Sequence, residues 1–129
     1  MFETGLVSVS FRKESPQTII RAVSAAGLGG IEWGGDIHVP HGDFEKAQVV
    51  GKGTREAGLK VMAYGSYYRL GCSENAEDNF KEVAETALTL GAPVIRIWAG
   101  GKGSAETTAE IRSAIEEEAF RLAEIADQY

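Results

Sequence analysis

Three glycines, Gly27, Gly58 and Gly91, hold the same place in three similar stretches: AAGLGGIEW from Ala25, EAGLKVMAYG from Glu56 and TLGAPVIRIW from Thr89. Each stretch runs from helix-forming residues, through the glycine, into a β-rich segment. Glycine suits that junction because a helix commonly ends on a residue with positive φ, which glycine adopts without a Cβ clash. Pro93 follows the third glycine and cannot continue a helix. The glycines recur roughly every 32 residues, about the length of one strand–helix unit. A chain punctuated in this way alternates helix with strand, and strands joined through helices lie parallel.

Four helices are predicted. Ser15 and Pro16 read as an N-cap with proline at the first helical position, opening a helix through Ile19, Ile20 and Val23. Asp43 caps a second helix over residues 44–57, in which Gly51 and Gly53 each cost about 1 kcal/mol relative to alanine. A third covers residues 75–90, with Phe80, Val83, Ala84, Ala87 and Leu88 on one face. In the fourth, Thr107 and Glu110 form a capping box. Ile111, Ala114, Ile115, Ala119, Leu122 and Ala126 then follow the spacing of an amphipathic helix. The strands fall at residues 5–11, 30–34, 60–66 and 94–99.

An α/β chain of 129 residues with this pattern fits either a small doubly wound sheet or part of a (β/α)₈ barrel of about 250 residues. Strand parity separates the two. Val7, Val9 and Phe11, Ile31 and Trp33, Val61 and Ala63, and Ile95 and Ile97 form one aliphatic side. The other side carries Ser8, Ser10, Glu32, Tyr64, Arg96 and Trp98. A doubly wound sheet is covered by helices on both faces and is apolar on both, so a polar second face favours the barrel. The expected fold is therefore a (βα)4 half of a TIM barrel, with parallel strands in sequential order. Residues 1–129 make one half-barrel domain, relative to a full barrel of about 250–280 residues. Side chains of alternate strands share a layer inside such a barrel, so Glu32 and Arg96 are expected to approach each other.

The loops leaving the strands are long and polar, and barrel active sites lie at that end. The candidate substrate-binding residues are Glu32, His38, His41, Tyr64, Arg96 and Trp98. Arg96 offers a planar donor fork for an anionic or hydroxylated ligand; its plain alternative is a structural ion pair with Glu32. Trp98 offers a flat face for a sugar; its alternative is barrel packing. Tyr64, Tyr67 and Tyr68 could equally serve only to cover the barrel mouth. The pair in HVPH, His38 and His41, suits a metal or a sugar hydroxyl, but two histidines alone do not complete a metal site. GGKGS from Gly100 lacks the Lys-Ser/Thr order of a phosphate loop. No nucleophile–base–acid set is visible, so the catalytic residues stay unassigned.

The formal net charge of −6 and pI near 4.9 disfavour nucleic acid as a partner, because phosphate binding needs clustered Lys and Arg. No apolar run approaches the roughly 18–20 residues that span a membrane, and residues 1–6 lack the pattern of a secretory signal. The single cysteine, Cys72, fits a reducing compartment, so a cytoplasmic location is expected.

GIEWGGDIHVPHGD from Gly30 and VIRIWAGGKGS from Val94 resemble the sugar phosphate isomerase/epimerase family of xylose isomerase-like TIM barrels. That group includes hydroxypyruvate isomerase, ketose 3-epimerases and inosose dehydratase, with endonuclease IV a more distant relative. The resemblance implies metal-dependent proton transfer beside a sugar carbonyl through an enediolate, using a divalent ion (Mn, Mg, Co or Zn). It also implies that the metal-binding Glu, Asp, His and Glu come from strands 5 to 8, beyond Tyr129. This chain then contributes substrate contacts through His38, His41, Arg96 and Trp98, with Glu32 at its strand end. It is expected to hold no metal and to be inactive alone. The partners expected are a small sugar or sugar phosphate and further copies of the chain covering the edges of the first and fourth strands. The rival expectations are a non-catalytic half-barrel binding or assembly module and, more remotely, a metal-dependent nuclease.

Overall fold

The computed structural model describes residues 2–73 and 75–129. In chain order these form β1 (Gly5–Val7), a 3-10 turn (Ser8–Phe11), α1 (Pro16–Ala25), β2 (Gly30–Gly34), α2 (Phe44–Glu56), β3 (Lys60–Arg69), α3 (Ala76–Leu90), β4 (Ile95–Trp98), a second 3-10 turn (Ser104–Glu106) and α4 (Ala109–Ala126). The strands make one sheet in the order β1-β2-β3-β4, with every pairing parallel. The sequential parallel half-barrel read from the sequence is the architecture found.

The three repeated glycines all have positive φ, 70° at Gly27, 76° at Gly58 and 82° at Gly91. The hydrogen bonds around them are also the same. Leu28 N–H donates to Val23 O, Leu59 N–H to Thr54 O and Ala92 N–H to Ala87 O. The glycine N–H groups donate to Ser24 O, Arg55 O and Leu88 O. Each is a Schellman end: a left-handed residue reverses the chain while two orphan carbonyls are satisfied. The residue after each glycine is apolar and enters the core, so one turn both ends a helix and aims the next strand.

The core lies between the sheet and its helices. Ile31 and Trp33 of β2 and Val61 of β3 pack with Ile19, Val23, Val50, Val83, Leu90 and Leu122 of the four helices. Each large apolar side chain removed from water there contributes about 1.5–3 kcal/mol. Trp33 also donates its indole N–H to Thr54 Oγ1 at 3.1 Å, and Thr54 in turn donates to Val50 O. Glycine inside α2 has a packing cause at Gly51, where a Cβ would come within 2.2 Å of Leu90 O.

Local details correct the sequence reading. The first strand stops at Val7, and residues 8–11 form a 3-10 turn. The Ser8 hydroxyl explains the departure: it accepts Gly34 N–H and lies 2.9 Å from His38 Nδ1, drawing the chain off the sheet. The register pairs Leu6 with Ile31 and Val7 with Glu32. Leu6 therefore faces the helices and Val7 the barrel interior, the reverse of the expected parity.

In β3, Val61 pairs with Ile31 but Ala63 pairs with Glu32, so Met62 is an extra residue. A bulge of this kind shifts the alternation of all that follows. Tyr64 falls on the helix side beside Trp33 and Ile95, and Gly65 takes the row of Arg96. The cap of α4 is Thr108, which accepts Ile111 N–H, rather than Thr107. Thr107 instead donates its hydroxyl to Gly103 O.

Candidate functional site

The interior face of the half-barrel meets the loops at the C-terminal ends of the strands. Arg96 Nε donates to Glu32 Oε1 across 2.8 Å, as their alternate-strand positions predict. The pair crosses β3 directly over Gly65. A Cβ at Gly65 would stand 2.7 Å from both Arg96 Nη2 and Glu32 Oε1, so the absence of a side chain there is what leaves room for the contact.

Two rings enclose the guanidinium. Arg96 Cζ lies 5.4 Å from the centroid of Tyr67 and 5.4 Å from that of Trp98. The hydrogen bond to Glu32 is the largest cause raising the Arg96 pKa above its ordinary value, against the opposing effect of burial. Only Nε is committed to the carboxylate, which leaves N–H donors of the fork for a ligand.

Tyr67 sits in a second irregularity of β3, where pairing passes from Gly65–Arg96 to Arg69–Trp98. Its φ of +61° is the only positive value at a non-glycine residue among those described. A bulky residue held in that region is strained. The strain places the Tyr67 ring beside Arg96, and the phenol also helps to raise the pKa of Arg12, after the larger effect of Asp36. Arg12 and Asp36 form an ion pair that ties the segment after β1 to the loop after β2. Arg69 Cζ also lies 5.6 Å from the Trp98 ring, and Arg69 donates to Gly100 O at 3.5 Å.

The two histidines part company. His38 is buried, with Nδ1 on Ser8, its ring edge-on to Trp33 and Nε2 without a hydrogen-bonding partner among the described residues. Burial lowers its pKa below the ordinary value. The backbone of Glu14 and Phe11 opposes this without closing a hydrogen bond to Nε2. His41 is exposed and lines a cavity with Tyr67, Arg69 and Cys72. Tyr64 is withdrawn from the interior by the bulge: it is fully buried and donates its hydroxyl to Val39 O at 2.7 Å. Its burial pushes the phenol pKa upward.

Of the residues expected to touch a ligand, Glu32, Arg96 and Trp98 come together at the mouth, and His41 lines the adjoining cavity. His38 and Tyr64 face the protein instead. Sequence reasoning missed Arg12, Asp36 and Arg69, and it treated Tyr67 only as cover. Arg12 and Arg69 fall in the polar segments expected to leave the first and third strands, which was a usable signal, but nothing in the sequence marks the left-handed backbone of Tyr67. Among the described residues no group of three or more His, Cys, Asp and Glu side chains converges, so a divalent ion would need ligands from elsewhere. Among those residues no helix is long and apolar enough to cross a membrane.

No family model matches the sequence, and neither does any curated protein. Solved structures do resemble it. The probable 3-DHS dehydratase AsbF of Bacillus anthracis, involved in petrobactin synthesis, superposes with a TM-score of 0.82 at 22% identity, over 98% of this chain and 49% of that one. The 3-keto-D-glucoside 4-epimerase YcjR of E. coli gives 0.73 at 17% identity, over 99% of this chain and 53% of that one. A xylose isomerase domain-containing protein of Salmonella typhimurium gives 0.68 at 15% identity, over 95% and 46%. The chain thus spans about half the length of each of these proteins. Likeness at such identities speaks for the fold alone, and in fold the chain is half of a TIM barrel.

Proposed function

We propose that this chain is the substrate-contacting, N-terminal half of a sugar or sugar-phosphate isomerase, epimerase or dehydratase barrel. The observation that carries the proposal is the Arg96–Glu32 pair enclosed by Tyr67 and Trp98 at the strand ends. Trp98, at 43% exposure, offers a ring face to the C–H side of a sugar. The uncommitted N–H groups of Arg96 donate to hydroxyl or carbonyl oxygens, and Glu32 accepts from hydroxyls. Together they orient a polyhydroxylated carbon chain without themselves forming a proton-transfer pair. The names of the solved neighbours, a dehydratase and a sugar epimerase among them, agree with this class. The divalent ion (Mn, Mg, Co or Zn) expected of such a barrel has no ligand set among the described residues, so the role assigned to this chain is confined to holding substrate.

On this proposal the interior is completed by a partner. β1 and β4 are the sheet edges, and Val7 and Trp98 on the interior face are both more than one-third exposed. Open parallel edges invite strand addition, so the 129-residue chain is expected to self-associate through them.

Titration calorimetry with a panel of neutral aldoses and ketoses tests the proposal. Binding should occur, and Arg96→Ala and Trp98→Ala should each weaken it about tenfold, the equivalent of roughly 1.4 kcal/mol. The chain alone should show no isomerase turnover with added Mn²⁺ or Mg²⁺. Absence of sugar binding, or binding indifferent to both substitutions, would defeat the proposal.

A further inference from the structure

A cavity of about 320 Å³ adjoins the Arg96 site, lined among others by His41, Tyr67, Arg69, Cys72, Ser73 and Asn79. It lies near the lower end of small-molecule sites, which start at about 300 Å³. Among the described residues no Asp or Glu lines it. Its polar lining consists of a guanidinium, an imidazole, hydroxyls, a thiol and an amide, all able to donate hydrogen bonds.

The three arginines of this region differ in one respect. Arg12 is paired with Asp36 and Arg96 with Glu32. Arg69, among the described residues, has no carboxylate partner; its hydrogen bond is the long contact to Gly100 O. Among the described residues one guanidinium thus lacks a carboxylate partner, on a chain whose net charge is −6, and it lines a cavity.

The cavity shares Tyr67 with the proposed sugar site. Tyr67 forms part of its wall while facing Arg96, and Trp98 lies under both Arg96 and Arg69. The strained backbone of Tyr67 sets the partition between the two.

We infer that this cavity is an oxyanion subsite, taking a phosphate or carboxylate carried by the ligand, with Arg69 as its charged donor. An arginine fork matches the two oxygens of such a group and forms charge-assisted hydrogen bonds with it. His41 and Tyr67 line the same cavity and can add donors to the anion. The identity of the rest of the ligand rests on the sugar proposal above; the anion subsite itself does not.

The test titrates the 129-residue chain with inorganic phosphate, ribose, ribose 5-phosphate and ribonate, each against wild type and Arg69→Gln. Phosphate should bind, and at least one anionic ribose derivative should bind at least tenfold more tightly than ribose. Comparison of ribose 5-phosphate with ribonate identifies which oxyanion the subsite prefers. Arg69→Gln should remove the anionic advantage while leaving the melting temperature unchanged, since Arg69 is exposed. Failure of phosphate to bind, or an anionic advantage that survives Arg69→Gln, overturns the inference. Arg69-dependent phosphate binding without sugar binding keeps the subsite and removes the sugar proposal. Sugar binding without an anionic advantage does the reverse.

Discussion

Arg96 and Glu32 reach each other across a strand that contributes no side chain between them. They stand on β4 and β2, their hydrogen bond measures 2.8 Å, and Gly65 of β3 lies beneath it. A methyl group at position 65 would meet both partners at 2.7 Å. Gly65→Ala should therefore force the pair apart and cost about 1–3 kcal/mol, the usual range for overpacking. Urea denaturation measures that cost. A variant as stable as wild type, with unchanged sugar binding, would show that the pair can move aside freely.

Tyr67 sets a second, opposite expectation. Its left-handed backbone carries a strain of about 1–2 kcal/mol for a residue with a Cβ. Its ring returns about 0.5–1 kcal/mol through the Arg96 guanidinium. Tyr67→Gly removes both, so the melting curve should move by no more than the equivalent of about 1 kcal/mol. Affinity for sugar should nonetheless fall. A large loss of stability would mean that Tyr67 is there for packing rather than for the ligand.

Glu118 is the buried anchor of α4. Its carboxylate accepts Tyr68 O–H and Gly71 N–H, both at 2.8 Å. Glu118→Ala strands Gly71 N–H and leaves the Tyr68 hydroxyl only Ala76 O, at 3.2 Å, and should cost about 1.5–3 kcal/mol, the range for a hydrogen bond to a charged group. Glu118→Gln retains one acceptor and should cost less. Hydrogen exchange of the α4 amides would report whether the helix detaches before the sheet opens.

His38 predicts a pH dependence. Its folded pKa lies below the ordinary 6.5 because burial disfavours the imidazolium. The unfolded chain therefore binds the proton more readily. Stability from this group is fully present above about 6.5 and is lost as pH falls from there through the lower folded pKa. Thermal melts between pH 8 and pH 5 should show wild type losing stability relative to His38→Gln. Parallel curves for the two proteins would remove His38 as the cause.

The glycine repeat made the fold legible. Gly27, Gly58 and Gly91 announce three helix ends, and the structure gives all three the same turn. The meeting of Glu32 and Arg96 was legible too, because alternation along short regular strands is reliable. The errors arose where alternation breaks. Ser8 leaves the sheet for a hydroxyl-centred cluster with Gly34 and His38, which no local pattern reveals. Met62 adds one residue to β3, and the parity of Tyr64 and Gly65 reverses behind it. Tyr67 gained its place from a backbone conformation that its side chain disfavours, so its propensity pointed elsewhere. Arg69 became significant only when the partners of Arg12 and Arg96 could be compared.

The extra residue in β3 makes the site sensitive to chain length as well as to composition. Deleting Met62 would close the bulge and leave Ala63, Tyr64 and Gly65 in register, but one residue inserted after Ala63 would put the rest of β3 half a pleat out of phase. Tyr64 would swing into the space now held open by Gly65, and the Arg96–Glu32 bond would meet a phenol ring. Codon-scale insertions in this strand therefore act as a coarse switch on the interior, reversing its lining in one step where substitutions adjust it by degrees.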